Sequence, residues 1–215
     1  RAAADAGADA IYCGFLNATN ARNFAGLNFT PNQLQDAVAY AHARGAKVLL
    51  AINSFATAGR YDLWQKAADC GAACGVDAFI VADIGVAAYI AERHAGRRLH
   101  LSVQAAASSP EAINFYCREF GVRRAVLPRI LTLAEIHQLK TEIDCEIETF
   151  IFGNHGLMVE GRCSLTNYAV GISTNMDGAC SPASEVHYDR NTAGVVTARL
   201  GSHVIDRFAP TEQAG

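Results

Sequence analysis

The chain carries no surplus of positive charge. Eighteen lysines and arginines stand against 21 aspartates and glutamates, for a formal net charge of −3. That balance gives no support to DNA as a partner. Long hydrophobic runs are also missing. No apolar stretch approaches the roughly 18–20 residues that span a bilayer, so no transmembrane segment is expected. No stretch reads as a secretory signal. No strand candidate runs into GxGxxG or a Walker loop, which removes the main argument for a nucleotide-binding open sheet. GxSxG and HExxH are absent as well, and with them the plainest local marks of a peptidase nucleophile or of a metal-activated water.

A disulfide framework is excluded in the same way. Cys13, Cys70, Cys74, Cys117, Cys145, Cys163 and Cys180 are odd in number and scattered over 215 residues. A reducing, cytoplasmic setting is the expectation. Cys70 and Cys74 lie one helical turn apart in KAADCGAACG and read as small core residues of an Ala-rich helix. Cys117, in NFYCREF, reads the same way.

What the chain does have is apolar content, 51% of its residues, and a repeating pattern. Short apolar strands are expected at Ala10–Cys13, Val48–Ile52, Phe79–Ala82, Leu99–Val103, Ala125–Leu127 and Ile147–Phe152. Helices fill the gaps. Thr30-Pro31 and Ser109-Pro110 open two of them, with Gly45 and Gly121 as stops, and TLAE at Thr132–Glu135 is a capping box. Repeated β-α units mean a parallel sheet with right-handed crossovers. A closed (β/α)8 TIM-like barrel and an open doubly wound sheet both fit the pattern. The barrel is preferred because the strands end in polar residues: Asn53, Asp83, Gln104, Arg129, and Asn154 with His155. In a barrel such ends converge on one pocket. Only six strands are visible and Arg1 opens what looks like a helix already under way. The chain is therefore read as a single barrel domain over residues 1–215, incomplete at both ends and part of a longer protein. The long segment Gly14–Phe29 reads either as a binding loop over that rim or as an ordered loop whose asparagines satisfy their own turns.

The function is placed in Glu148–Thr166, ETFIFGNHGLMVEGRCSLT, where a strand breaks at Gly153 into a loop. His155 is a ligand, a base or a structural hydrogen-bonder. Glu160 and Arg162 read as an ion pair holding the loop. Arg129 suits a bidentate clamp on an anionic group, with Asp83 and Gln104 completing the pocket. Cys163 and Cys180 sit in the glycine-bearing loops GRC and GAC. They read as two buried thiols or as soft ligands.

These segments resemble a known family. Glu148-x-Phe150-x-x-Gly153 followed by Gly161-x-Cys163-x-Leu165 is similar to the signature of the collagenase-like peptidase U-32 family. NARNFAGLNFT, AINSFA, VADIG, SVQAAA, EAINFY, VLPRIL, EGRCSLTNYAVG and GACSPA resemble its UbiU-like branch, which supports oxygen-independent ubiquinone synthesis. The resemblance implies a TIM-like barrel and an iron–sulfur cluster ([4Fe–4S]) with Cys163 and Cys180 as ligands. It also implies a sister subunit in a heterodimer, and hydroxylation of an aromatic quinone precursor without O₂. Other branches hydroxylate RNA bases, and some members are described as peptidases. The family's further cysteine, seven residues before Cys163, is Gly156 here. That substitution leaves three readings: His155 as a substitute ligand, a cluster with an open iron, or a non-catalytic barrel subunit that has lost the cluster. A collagenase-like peptidase built on Cys163 and His155 is a further alternative.

Overall fold

Short apolar strands flanked by amphipathic segments hide both of their faces when helices alternate with them along the chain. The computed structural model follows that rule, and it describes residues 1–23, 28–152, 160–161, 163–178, 186–193, 195–200 and 203–208. Six strands come first: β1 (Ala10–Gly14), β2 (Lys47–Ile52), β3 (Ala78–Val81), β4 (Arg98–Leu101), β5 (Val122–Val126) and β6 (Glu146–Glu148). They pair in parallel in the order β1-β2-β3-β4-β5-β6. A doubly wound sheet reverses its strand order partway. This one never does, so the architecture is α/β with a curled, six-stranded parallel half-barrel. Among the described residues β1 and β6 each pair with one neighbour, and the expected eight-stranded closure is not reached.

The helices are α1 (Ala2–Asp5), α2 (Pro31–His42), α3 (Asp62–Cys74), α4 (Ile84–Arg93), α5 (Pro110–Phe120) and α6 (Leu133–Glu142). Their starts are set by local chemistry. Thr30 and Thr132 form capping boxes with Gln33 and Glu135, and Ser109 caps α5. One sheet face packs on these helices: Leu50, Ile52, Phe79, Val81, Leu99 and Leu101 meet Leu34, Val38, Trp64, Val86, Ile90 and Ile113. Burying each such side chain contributes about 1.5–3 kcal/mol. On the opposite face Leu49, Ala51, Ala78 and Ile80 form a smaller apolar cluster.

The sixth strand is shorter than its sequence suggests. Thr149–Phe152 reads as buried strand, yet β6 stops at Glu148, and Ile151 and Phe152 are 96% and 98% exposed. The ladder explains this. Leu127 N–H donates to the Glu148 carbonyl at 2.9 Å, and the next residue facing that side, Arg129, has already left the strand direction for a turn.

Beyond β6 come two short helices, α7 (Leu165–Val170) and α8 (Thr174–Asp177). A three-stranded antiparallel sheet follows: β7 (Val186–Arg190), β8 (Val196–Leu200) and β9 (His203–Phe208). Sequence reading did not anticipate that sheet. Among the described residues no helix is long and apolar enough to cross a membrane.

Candidate functional site

Buried polar side chains collect at the carboxyl ends of the strands. Thr19, Asn20, Asn53, Ser54, Ser102, Gln104 and Glu160 are all buried there. Each has a partner, as most buried polar groups do. Asn53, just past β2, accepts from the Ala21 N–H at 3.0 Å and donates to Ser102 Oγ at 3.2 Å. Ser102, just past β4, accepts in turn from the Gln104 N–H at 3.2 Å. Ser54 donates to the Ala18 carbonyl and accepts from Trp64 Nε1. The loop after β1 is thereby tied down over β2. Its asparagines also satisfy their own turns, since Asn17 accepts from the Thr19 N–H and Asn20 from the Arg22 N–H, both at 3.0 Å.

A second group joins this one from far along the chain. Gln104 Oε1 accepts from the Gly161 N–H at 3.1 Å, and Asn175 Nδ2 donates to the Gly161 carbonyl at 2.9 Å. Glu160, 5% exposed at its side chain, is ion-paired with Arg129. Arg129 also lies over the Phe150 ring, its Cζ 3.5 Å from the centroid. A continuous set of contacts therefore runs Asn53, Ser102, Gln104, Gly161, Glu160, Arg129, Phe150 across the mouth. Cys163 follows two residues after Gly161. It is half-buried, with its Sγ 3.9 Å from the hydroxyl of buried Thr166.

Of the residues expected at the site, Asn53, Gln104, Arg129 and Cys163 come to this mouth. Asp83 is at a strand end too, but its carboxylate is engaged by backbone. Oδ1 caps α4 by accepting from the Val86 N–H at 3.0 Å, and Oδ2 accepts from the Ala56 N–H at 3.1 Å. The Arg129 charge is matched by Glu160, so the expected anion clamp is already occupied from within. Glu160 pairs with Arg129; Arg162, its expected partner, lies outside the described residues. His155, Gly156, Arg162 and Cys180 lie outside the described residues. Sequence reasoning missed Ser102 and Asn175. Ser102 stood next to the recognised Gln104, whereas Asn175 carries no local signal, because its partner is 14 residues away in a different element.

The lower part of the sheet face is charged. His100, Arg124 and Glu146 are opposite one another in β4, β5 and β6. Glu146 pairs with both Arg98 and Arg124 at 2.6 Å, and Arg124 reaches Glu148 at 3.2 Å. The two arginines hold the Glu146 carboxyl down at about 2. Arg98 Nε donates to His100 Nε2 at 3.0 Å, which leaves the proton on buried Nδ1. Burial, and after it Arg124 and Arg98, push the His100 imidazole down to about 4, so it is neutral near pH 7.

Thiolate chemistry needs an accessible sulfur of low pKa. Burial instead pushes Cys13 and Cys145 up to about 12 and Cys70 to about 11. Among the described residues no three His, Cys, Asp or Glu side chains converge as metal ligands. Of the two expected cluster thiols only that of Cys163 is described, and a half-buried sulfur at a polar mouth is of the soft donor type that iron–sulfur centres use.

Comparison with known proteins agrees with this architecture. The chain is 33% identical over 187 residues to an uncharacterised protease of Methanocaldococcus jannaschii, a match covering 85% of this chain and 44% of that protein. It is 31% identical over 174 residues to the tRNA hydroxylation protein P1 of Bacillus subtilis, covering 81% of this chain and 40% of that one. The chain thus spans less than half the length of these curated relatives. A solved U32 peptidase superposes with a TM-score of 0.58 at 20% identity, over 69% of this chain and 64% of the other; at that identity the likeness is one of fold. The sequence profile of peptidase family U32 matches residues 1–207. A match that runs through both the half-barrel and the mouth built on it makes this chain a member of peptidase family U32.

Proposed function

We propose that this chain contributes the active mouth of an oxygen-independent hydroxylase acting on an aromatic ring, most closely a quinone precursor, within a hetero-complex with a sister U32 subunit. The observation that carries the reading is the linked mouth from Asn53 to Phe150, with Cys163 beside it. A relative named for tRNA hydroxylation supports the reaction type. The resemblance of NARNFAGLNFT, VLPRIL and EGRCSLTNYAVG to the quinone branch supports the substrate. So does the charge: a net −3 is poorly suited to neutralising RNA phosphates.

In this reading Asn53, Ser102 and Gln104 fix the rim, and the Arg129–Glu160 pair fixes the turn leading to Cys163. Phe150, 44% exposed and backed by Arg129, offers an aromatic face on which a flat ring stacks. Cys163 and Cys180 are the proposed thiolate ligands of an iron–sulfur centre, which when bound supplies electron transfer. A closed (β/α)8 barrel in the full-length protein belongs to the same proposal.

The competing reading is RNA-base hydroxylation, favoured by the relative's name. One experiment separates the two. Deleting the gene should stop quinone accumulation only under anoxia, while hydroxylated tRNA nucleosides measured by mass spectrometry stay unchanged. Normal quinone under anoxia together with lost nucleoside hydroxylation would transfer the assignment to RNA. A peptidase role is carried by no nucleophile–base pair among the described residues.

A further inference from the structure

We infer that Gln104 and Asn175 are positioning residues for Cys163, gripping the Gly161 peptide from both sides so that the thiol two residues later is presented at one place. The inference rests on reading Cys163 as the working thiol of the mouth. Three elements converge on the turn. From the segment after β4, Gln104 Oε1 takes the Gly161 N–H at 3.1 Å. From α8, Asn175 Nδ2 takes the Gly161 carbonyl at 2.9 Å. From the segment after β5, Arg129 holds the preceding carboxylate, Glu160.

The fit is close enough to dictate the residue between them. Gly161 has φ +72°, and a Cβ there would overlap the backbone carbonyl of Gln104. Only glycine lets the turn lie this near the strand end. The clamp is itself anchored. The Asn175 carbonyl accepts from the Phe55 N–H after β2, and the Gly178 carbonyl accepts from the Asn23 N–H at 3.0 Å. A surface turn could satisfy its polar groups with water. This one instead commits two side-chain amides, and Asn175 Oδ1 is left buried without a partner to do so. The amide orientation is settled because the Gly161 carbonyl only accepts.

The test is the alkylation rate of Cys163 in the full chain without metal, read by peptide mass spectrometry, with Cys117 and Cys145 as internal controls. Removing one of the two hydrogen bonds should raise local opening, and hence the Cys163 rate, about tenfold in Gln104→Leu and in Asn175→Leu. Gln104→Glu keeps an acceptor oxygen and should stay near the wild-type rate. Control cysteines should not move. If Asn175→Leu does not fold, Asn175→Asp removes the donor at constant shape and is read in the same way. An unchanged Cys163 rate in the Leu variants overturns the inference, as does an equal rise at Cys117 and Cys145. Iron and sulfide content after anaerobic reconstitution is the second readout, expected to fall in the Leu variants and to recover in Gln104→Glu. Wild-type protein that binds no iron, with alkylation still responding, would sink the cluster reading and leave the clamp standing.

Discussion

A thiol reacts as its thiolate, so the environment of each cysteine sets its chemistry. Cys13 and Cys145 are pushed up to about 12 by desolvation, the latter also by the neighbouring thiol of Cys117. Against an ordinary thiol at 9.0, the thiolate fraction at neutral pH falls roughly a thousandfold. Both should therefore resist iodoacetamide at pH 7.5 on a timescale that modifies an open thiol completely. Time-resolved mapping of the alkylated peptides checks this, and rapid labelling of either would show that the core is looser than its packing implies. The residue scale also explains why candidate roles and observed roles part company. The sequence places Asp83 at a strand end, where a catalytic carboxylate would sit. It cannot show that both oxygens are taken by backbone N–H groups of Val86 and Ala56. An N-cap and a catalytic acid look alike in one dimension, because Asp before a helix serves either.

At the scale of the element, helix α3 shows how packing overrides propensity. Gly71 sits in its middle, where alanine is favoured by about 1 kcal/mol. Yet a Cβ at 71 would run into the side chains of Leu50 and Phe79, which are wholly buried. Overpacking of this kind costs about 1–3 kcal/mol. Gly71→Ala is expected to be net destabilising, lowering the melting temperature by several degrees in a calorimetric scan. A raised melting temperature would mean that the sheet yields more easily than a close-packed core should. The helix starts at Thr30, Ser109 and Thr132 were legible, because a cap is a contact between residues three apart. The end of β6 was not, because it depends on where the neighbouring segment after β5 turns away, at Arg129. Nor was the antiparallel sheet β7–β9, whose pairings are set by partners outside each segment.

At the scale of the whole molecule, stability against acid should fall in two separable windows. His100 is held below its ordinary value, so the unfolded chain binds the proton more readily than the folded one between pH 6.5 and about 4. Stability should drop as the pH falls through that range, by roughly 3 kcal/mol at most. Glu146 acts in the second window. Its depressed carboxyl contributes above about 4.5 and loses that contribution as the pH falls toward 2. Urea unfolding at a series of pH values, in the wild type and in His100→Gln, tests the assignment. The variant should lose the upper window and keep the lower; an unchanged upper window would assign it to another group.

The half-barrel itself was determined by local sequence. Apolar runs, caps and glycine stops recur along the chain, and parallel strands joined by helices can be laid down next to their predecessors in order. The mouth was decided only by tertiary structure. Gln104 and Gly161 are 57 positions apart, and nothing in either neighbourhood names the other. Curling of the sheet brings strand ends together, and buried polar groups then take whichever partners lie within hydrogen-bonding reach. Which amide grips which peptide is thus a property of the folded geometry and not of any single stretch.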